Sequence, residues 1–551
     1  MRGIYRHVAK PETSAANDIF QFGHDSQAWA PRPGRLTAAI LIAAIAVGLL
    51  FAFVQMERSS FWYDELFTGW VVRGGGLRDA LARALSDVHP PLYYLSAHLW
   101  GRLFGDGDAG LRSFSAVAAV LACLVVVWGL RRDMPLTARL VAAGFMVGSR
   151  YWFYMAQNAR AYALCLLIGA GLIWLSARIL ASARRQGLWM AALVALGIVG
   201  TFVHYFVALE TLVLTAGLSL YVQRFRVAFM AGGGMCVAAA WAWVHWVVMP
   251  LSVFDPGKGW MSLDPGYLAD SLLDAVKELS FLVPVLVCLV AAGIRFKGAL
   301  RTRDAAGGIR RAVRKAPLLG VCLLVPPGVL VLSLLSSLVS HPNFNTQSFL
   351  ITAPFIWCAW GLVFDGATRG LSPGTAAGLR LVMALSVAAM QVIACDRFVA
   401  RNETWRESAN GIAAFESCRG QAIPIVSEDG PYLKAPDLIQ RYGPALFGSY
   451  LRDGATALPV EHTAIDAGTL PPGLRQTLRA RLDGHGCPVL FWAPHTGQDA
   501  YADGLVAQLT AQIGRPAPGY HIAARTYPFY PRVRTSRPTG NPGFFLYVAR
   551  D

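Results

Sequence analysis

Charge is what this sequence has least of. Only 15% of its 551 residues are Asp, Glu, Lys or Arg, and 55% are hydrophobic, whereas a soluble chain carries about 25% charge. Apolar runs of roughly 18–22 residues recur along it, the length that crosses a bilayer as a helix, so an ordinary soluble enzyme is excluded. Acids are scarcer than bases, 33 against 49, leaving a net charge of +16. That excess does not imply nucleic acid, because the arginines cluster in short loops between apolar runs, as cytoplasmic anchors do. Metal and redox cysteine motifs are lacking too. The nine cysteines contain no CxxC and no Cys/His metal spacing. Cys123, Cys165, Cys236, Cys288, Cys322 and Cys358 lie in apolar runs and read as small core residues. Only Cys395, Cys418 and Cys487 lie near or beyond the last run, and a Cys418–Cys487 disulfide is expected if both face an oxidising compartment. There is no internal repeat and no low-complexity tract. The first apolar run lacks a small-residue cleavage site, so it reads as a retained span.

What is there organises itself around that pattern. Residues 1–35 form a polar tail with Pro11, Pro31 and Pro33. A first span over about 36–54 leads into a long loop, 57–112. Further spans are expected near 113–130, 136–150, 160–180, 188–206, 208–222, 227–249, 279–295, 317–338, 347–364 and 380–398, about eleven in all. Arg131 and Arg132, Arg184 and Arg185, Arg224 and Arg226, and the run Arg295 to Lys315 fall on alternate loops. The positive-inside rule puts those loops and the N-terminus in the cytoplasm. The loops 57–112 and 250–278 and the segment 399–551 then lie outside, in the periplasm of a cell with two membranes. Beyond 399 hydrophilic helices alternate with short apolar strands: helices near Trp405–Glu416 and Leu474–Asp483, strands at Ala422–Ser427, Pro488–Trp492 and Phe544–Val548. The fold class is a polytopic α-helical membrane protein, with a transmembrane domain over 36–398 and an extracytoplasmic α/β domain over 399–551.

The acids gather in one outer loop. Asp64 and Glu65 stand side by side among Phe61, Trp62, Tyr63, Leu66, Phe67 and Trp70. A helix-start acid pair would satisfy the helix dipole. Aromatics of this density also suit a short helix in the membrane interface, where a partly desolvated carboxylate is a stronger base. In His89-Pro90-Pro91-Leu92-Tyr93-Tyr94 two prolines fix the backbone and end the preceding helix; His89 is either an interfacial residue of a rigid turn or a group aimed at the Asp64 pocket. Candidate cations near the outer face are Arg112, Arg160, His204, Lys258 and His341. Arg160 opens a span, which is costly unless it is paired, faces a cavity or snorkels. Glu210, inside a span, faces a cavity or pairs with His204. Asp106-Gly107-Asp108 reads as a turn, and Gly232-Gly233-Gly234 as a site of close helix packing.

These motifs carry a resemblance. YDE after the first span, HPPLYYL, Leu103–Gly105, Leu111–Arg112, Gln157–Tyr162, His204-Tyr205-Phe206 and TWRESANGIAAF follow in the order seen in the GT-C membrane glycosyltransferases. Within them the chain is most similar to the bacterial branch related to protein O-mannosyltransferases and the lipid A aminoarabinose transferase. The resemblance covers roughly residues 40–430. It implies transfer of one sugar from a polyprenyl-phosphate monosaccharide to a lipid, glycan or protein acceptor, with inversion, on the outer face of the inner membrane. Asp64 is then the general base, with Glu65 beside it. His89, Tyr93, Arg112, Arg160, Tyr162, His204, Lys258 and His341 are the substrate-binding candidates. No nucleotide cofactor is expected, and a divalent metal is left open. Relatives often carry Arg-Tyr at the start of the late span; this chain has Asn345-Thr346-Gln347-Ser348-Phe349, and His341 or Lys258 stand as substitutes. The competing class is a lipid-linked sugar flippase, which calls for duplicated halves and charged or broken helices at mid-membrane.

Overall fold

The computed structural model describes residues 34–255, 258, 261–279, 282–296, 316–369, 371–393, 404–427, 433–435, 437–461, 464–465, 467–494, 499–527 and 543–551. The tail over 1–33, the basic run over 297–315, Cys395 and the 398/399 boundary lie outside the described residues. Helix α1 (Arg35–Phe51) is followed by three short helices in the expected outer loop: α2 (Tyr63–Val72), α3 (Leu77–Ala84) and α4 (Leu92–Phe104). Then come α5 (Asp108–Val127), α6 (Leu136–Gly148), α7 (Arg150–Ala156), α8 (Tyr162–Ala181), α9 (Gln186–Thr201), α10 (Tyr205–Tyr221), α11 (Arg226–Trp243), α12 (Pro265–Leu279), α13 (Leu282–Phe296), α14 (Pro317–Val339), α15 (Ala353–Arg369) and α16 (Pro373–Ile393).

Among the described residues six helical stretches are long and apolar enough to cross a membrane: Asp108–Arg132, Tyr162–Ala181, Gln223–Leu251, Pro317–Val339, Thr346–Arg369 and Pro373–Gln391. Their outer faces leave Val227, Leu335 and Val339 exposed, as lipid-facing surfaces do. The eleven expected spans are therefore not all of one kind. α1, α6, α9 and α10 are apolar but have only 13 to 17 residues, a rise of roughly 20–26 Å against about 30 Å of hydrocarbon. The span expected at 279–295 corresponds to α13, which has only 15 residues and reaches spanning length only together with α12, to which it is bent by 84°. Pro284 falls in the first turn of α13, where its missing N–H costs nothing and a new helix starts easily. The glycine run behaves as expected at two of its positions. A Cβ on Gly232 would stand 2.5 Å from Val194, and one on Gly233 2.2 Å from Thr215, so side chains there would push α11 off α9 and α10.

After α16 the chain changes character. α17 (Trp405–Ala413), β1 (Ala422–Ser427), α18 (Asp437–Phe447), β2 (Thr456–Glu461), α19 (Pro472–Leu482), β3 (Val489–Ala493), α20 (Asp499–Ile513), β4 (Tyr520–Tyr527) and β5 (Gly543–Arg550) follow. The five strands form one sheet, ordered β2-β1-β3-β5-β4. β1 runs parallel to β2 and β3, and β5 antiparallel to β3 and β4. β3 is buried along its whole length, as its unbroken apolar run requires of a central strand. The three expected strands and two expected helices are present within two or three residues. The sequence reading missed β2, β4, α18 and α20. Pro459 interrupts β2 and Pro444 interrupts α18, and both edge strands lack a clean apolar alternation.

Cys418 and Cys487 are bonded, with Cα atoms 4.4 Å apart. The bridge closes 69 residues of sequence around β1 and β2, so replacing both cysteines by serine is expected to cost the α/β region about 4 kcal/mol by loop-closure entropy. Thermal unfolding of the double variant measures the loss. Mass spectrometry of non-reduced protein should find both thiols blocked, and free thiols at both positions would refute the bond.

Two sets of contacts fasten the α/β region to the outer loop. The Tyr450 hydroxyl donates to Asp108 Oδ1 (2.6 Å) and accepts from the Phe61 N–H (2.7 Å). Arg406 donates to Asp108 Oδ2 (2.8 Å) and to the Glu57 carbonyl (2.6 Å). The segment around Val253 bridges as well: its N–H donates to the Ser86 carbonyl and its carbonyl accepts from the Lys434 N–H. The Asp106-Gly107-Asp108 turn thus both opens α5 and anchors the α/β region.

Candidate active site

α2 starts at Trp62, whose extended backbone leaves its N–H to be capped by Glu65 Oε2 (3.2 Å). Helical geometry then points Asp64 and Glu65, adjacent in sequence, about 100° apart, and they meet opposite fates. Glu65 is 0% exposed. Its Oε1 accepts from Arg112 Nε (2.9 Å) and the Ala159 N–H (2.6 Å), and its Oε2 from Arg112 Nη2 (2.6 Å). Arg112 spends its other N–H groups on the carbonyls of Met56, Ser59 and Ser60. Arg112, a candidate cation by sequence, therefore has no donor left for a ligand, and Glu65 has no free oxygen for proton transfer. Together they are a buried strut that ties the entry of α2 to α5 and to the 157–161 turn.

Asp64 keeps 35% of its side chain exposed and stands 3.8 Å from Arg160 Nη2. Arg160 is buried at the entry to α8. Its Nη1 donates to the Tyr94 hydroxyl (2.7 Å), and its Nη2 lies 3.3 Å from His89 Nδ1. The Tyr94 hydroxyl passes a close hydrogen bond to Asp87 Oδ2, which also faces His89 Nδ1 at 3.1 Å. Burial works against the Asp87 charge, but His89, Arg160 and Tyr94 outweigh it and hold the carboxyl down to about 2. A depressed folded-state value means that the stability Asp87 contributes is complete above its unfolded value of about 4. It is lost as pH falls toward 2. Asp87→Asn should therefore flatten the melting temperature between pH 4 and 2, read by acid titration of the unfolding midpoint; an unchanged slope would place that linkage elsewhere.

His204 caps α10 by accepting the Phe206 N–H on Nδ1 (3.3 Å). With Nδ1 engaged as acceptor, the ring proton sits on Nε2, which is then a donor. Its ring lies 5.9 Å from that of His89 and 5.7 Å from that of Tyr162. His89, Tyr93, Tyr94, Arg160, Tyr162 and His204 line one cavity of about 240 Å³. The prolines after His89 do not end α3, which stops at Ala84; Pro91 is instead the N-cap of α4. There it fixes the turn that delivers His89 into the cavity.

Among known proteins, no family model matches this chain and no curated protein does. Similar solved structures exist. ArnT from Cupriavidus metallidurans in the apo state is 15% identical with a TM-score of 0.47, over 92% of this chain and 97% of that one. ArnT from the same organism bound to undecaprenyl phosphate gives 14% and 0.44 over the same shares. The apo oligosaccharyltransferase of Archaeoglobus fulgidus gives 11% and 0.42, over 89% of this chain and 70% of that one.

Of the residues singled out by sequence, the structure gathers His89, Tyr93, Arg160, Tyr162 and His204 around the cavity, with Asp64 ion-paired to its arginine. Lys258 and His341 lie outside the lining. Lys258 is half exposed, 3.6 Å from Asp255, and His341 is exposed on the turn after α14. Glu210 is fully buried and does not pair with His204; among the described residues neither carboxyl oxygen has a hydrogen-bond partner. Sequence reasoning missed Asp87 and Asn158, the latter accepting from Trp62 Nε1 (3.1 Å). A carboxylate two residues before the histidine of HPP was the available signal for Asp87. Among the described residues no three His, Cys, Asp or Glu side chains gather to hold a metal ion.

Proposed function

We propose that this chain is an inverting glycosyltransferase of the GT-C kind, moving a monosaccharide from a polyprenyl-phosphate donor to a lipid, glycan or protein acceptor. The observation that carries this reading is the pairing of Asp64, a third exposed, with a buried arginine at 3.8 Å that opens onto a cavity of imidazole, phenol and guanidinium donors. The order of motifs in the sequence supports it. In the accompanying topology eleven helical segments, α12 and α13 counting as one, cross the inner membrane. The tail over 1–35 is cytoplasmic, 36–398 is the transmembrane domain, and 399–551 is periplasmic.

The chemistry divides between two sides of Asp64. The acceptor hydroxyl gives its proton to Asp64 as its oxygen attacks the anomeric carbon. The bond from that carbon to the phosphate oxygen breaks with its electron pair, and the charge left on the lipid phosphate is met by Arg160, the His204 N–H and His89. The lack of an Arg-Tyr pair on the late span is then made good by Arg160 and the two histidines, in place of Lys258 or His341.

Membranes containing the protein, given radiolabelled polyprenyl-phosphate sugar and a cell-envelope extract, should form labelled product. Lipid-linked sugar moved across vesicles without product would support the flippase instead. Arg160→Ala should lower turnover roughly 10²–10³-fold at unchanged protein level, the scale for losing one transition-state donor. Wild-type turnover would reduce Arg160 to an interfacial anchor.

A further inference from the structure

A second cavity, of about 410 Å³, lies on the other side of α2. Tyr63, Phe67 and Trp70 line it, and their i, i+4, i+7 spacing makes one stripe of the helix. Facing them are Tyr442 and Phe447 of α18, with ring centroids 5.5 Å from Trp70 and 6.0 Å from Tyr63. Phe254 closes one end, 6.3 Å from Phe67. Among the described residues no lining residue is charged. Phe67 also meets Tyr94 edge-on at 5.7 Å, and Tyr94 lines the cationic cavity. That ring pair is the partition between the two spaces. Asp64 sits one helical turn before Phe67, at the head of the partition.

We infer that this second cavity receives the acceptor, and that the acceptor is an amphiphile whose group beside the reacting hydroxyl is uncharged and apolar. The inference rests on the reading of Asp64 as the base and names the substrate class that reading leaves open. Three observations exclude other occupants. The donor's polyprenyl chain must stay in the bilayer, whereas seven of the thirteen lining residues follow residue 430, in a part of the chain where the described residues include no apolar helix of spanning length. A charged group would enter a lining without a counter-charge, at a large desolvation cost. A glycan would find only the hydroxyls of Tyr63, Ser86 and Tyr442 among the described lining residues, too few for its own. An occupant there and a lipid phosphate in the cationic cavity would meet across the Phe67–Tyr94 wall, with Asp64 between them.

The test uses the full chain in native membranes and a benzophenone-bearing primary alcohol as photoprobe. Labelling should map to residues 63–70 and 438–447 and be displaced by n-octanol but not by glycerol or undecaprenyl phosphate. Tyr442→Ala with Leu438→Ala, both half-buried, should lose labelling about tenfold or more while undecaprenyl phosphate binding stays at wild-type level. Displacement by undecaprenyl phosphate would assign the cavity to the donor tail and overturn the inference, as would labelling confined to other segments. Asp64→Asn separates the two readings. Retained labelling with lost transfer supports both. Labelling retained with normal transfer removes the base and with it the acceptor assignment. Labelling absent from the cavity in a wild type that transfers normally overturns the inference alone.

Discussion

Asp64→Asn should abolish sugar transfer while leaving the protein folded and the lipid donor bound. Asparagine keeps the size of the side chain and can still meet Arg160, but it cannot take the acceptor proton. Losing a general base typically costs on the order of 10²–10⁴-fold in rate. Folding should be spared because Asp64 is partly exposed and its contact with Arg160, at 3.8 Å, is an ion pair rather than a short hydrogen bond. Arg160 retains Tyr94. Donor binding should be unchanged or tighter, since a negative charge facing the lipid phosphate is removed. The measurement is transfer from radiolabelled polyprenyl-phosphate sugar alongside donor binding on the same membranes. Normal transfer would overturn the mechanism whatever the fold.

Glu65→Gln, one residue along, should fail for a different reason. The glutamate holds Arg112 through two hydrogen bonds and is itself sealed from water. Glutamine leaves the guanidinium buried without its counter-charge and turns an N–H₂ toward a donor. Breaking a buried pair from one side costs roughly 3–5 kcal/mol, enough to unfold many domains. The expected result is loss of protein from the membrane, or a melting temperature many degrees lower, before any effect on turnover per molecule. Arg112→Met should do the same. The double variant Glu65→Leu with Arg112→Met should recover only part of the loss: it removes the unpaired charge but leaves the Met56, Ser59 and Ser60 carbonyls and the Ala159 N–H without partners. A Glu65→Gln protein of wild-type stability with slow transfer would instead put Glu65 in the chemistry.

Asp64 and Glu65 show how far the sequence was legible. Adjacent acids among aromatics announce a site, and the HPP and QNARAY segments announce its partners, so five of the eight binding candidates do line one cavity. Which acid is free depends on Arg112, 47 residues further on, and nothing local encodes that pairing. Asp87 escaped notice although His89, its first partner, lies two residues away; its other partners, Tyr94 and Arg160, reach it only after α4 and the 157–161 turn are folded. Lys258 and His341 were chosen for charge and side of the membrane, two properties that fix depth but not direction. In the α/β region the apolar inner strands β1, β3 and β5 were readable, β1 despite Pro424, whereas β2 and β4 are edges whose partners rather than composition make them strands. Helix length was the least legible quantity, since hydropathy windows do not register where a helix bends or stops short.

Asp108 decides how separable the two halves of this protein are. One carboxylate at the mouth of α5 receives both Tyr450 and Arg406, and the same tyrosine holds the backbone one residue ahead of Trp62. The α/β region is therefore not a module that can be exchanged freely. A chimaera that joins this membrane half to the outer half of another chain inherits an aspartate without its two donors and an α2 helix without its rear fastening. Compatible halves are those that bring a phenol and a guanidinium to the same spot, and a library of such fusions would sort by that pair before it sorted by substrate.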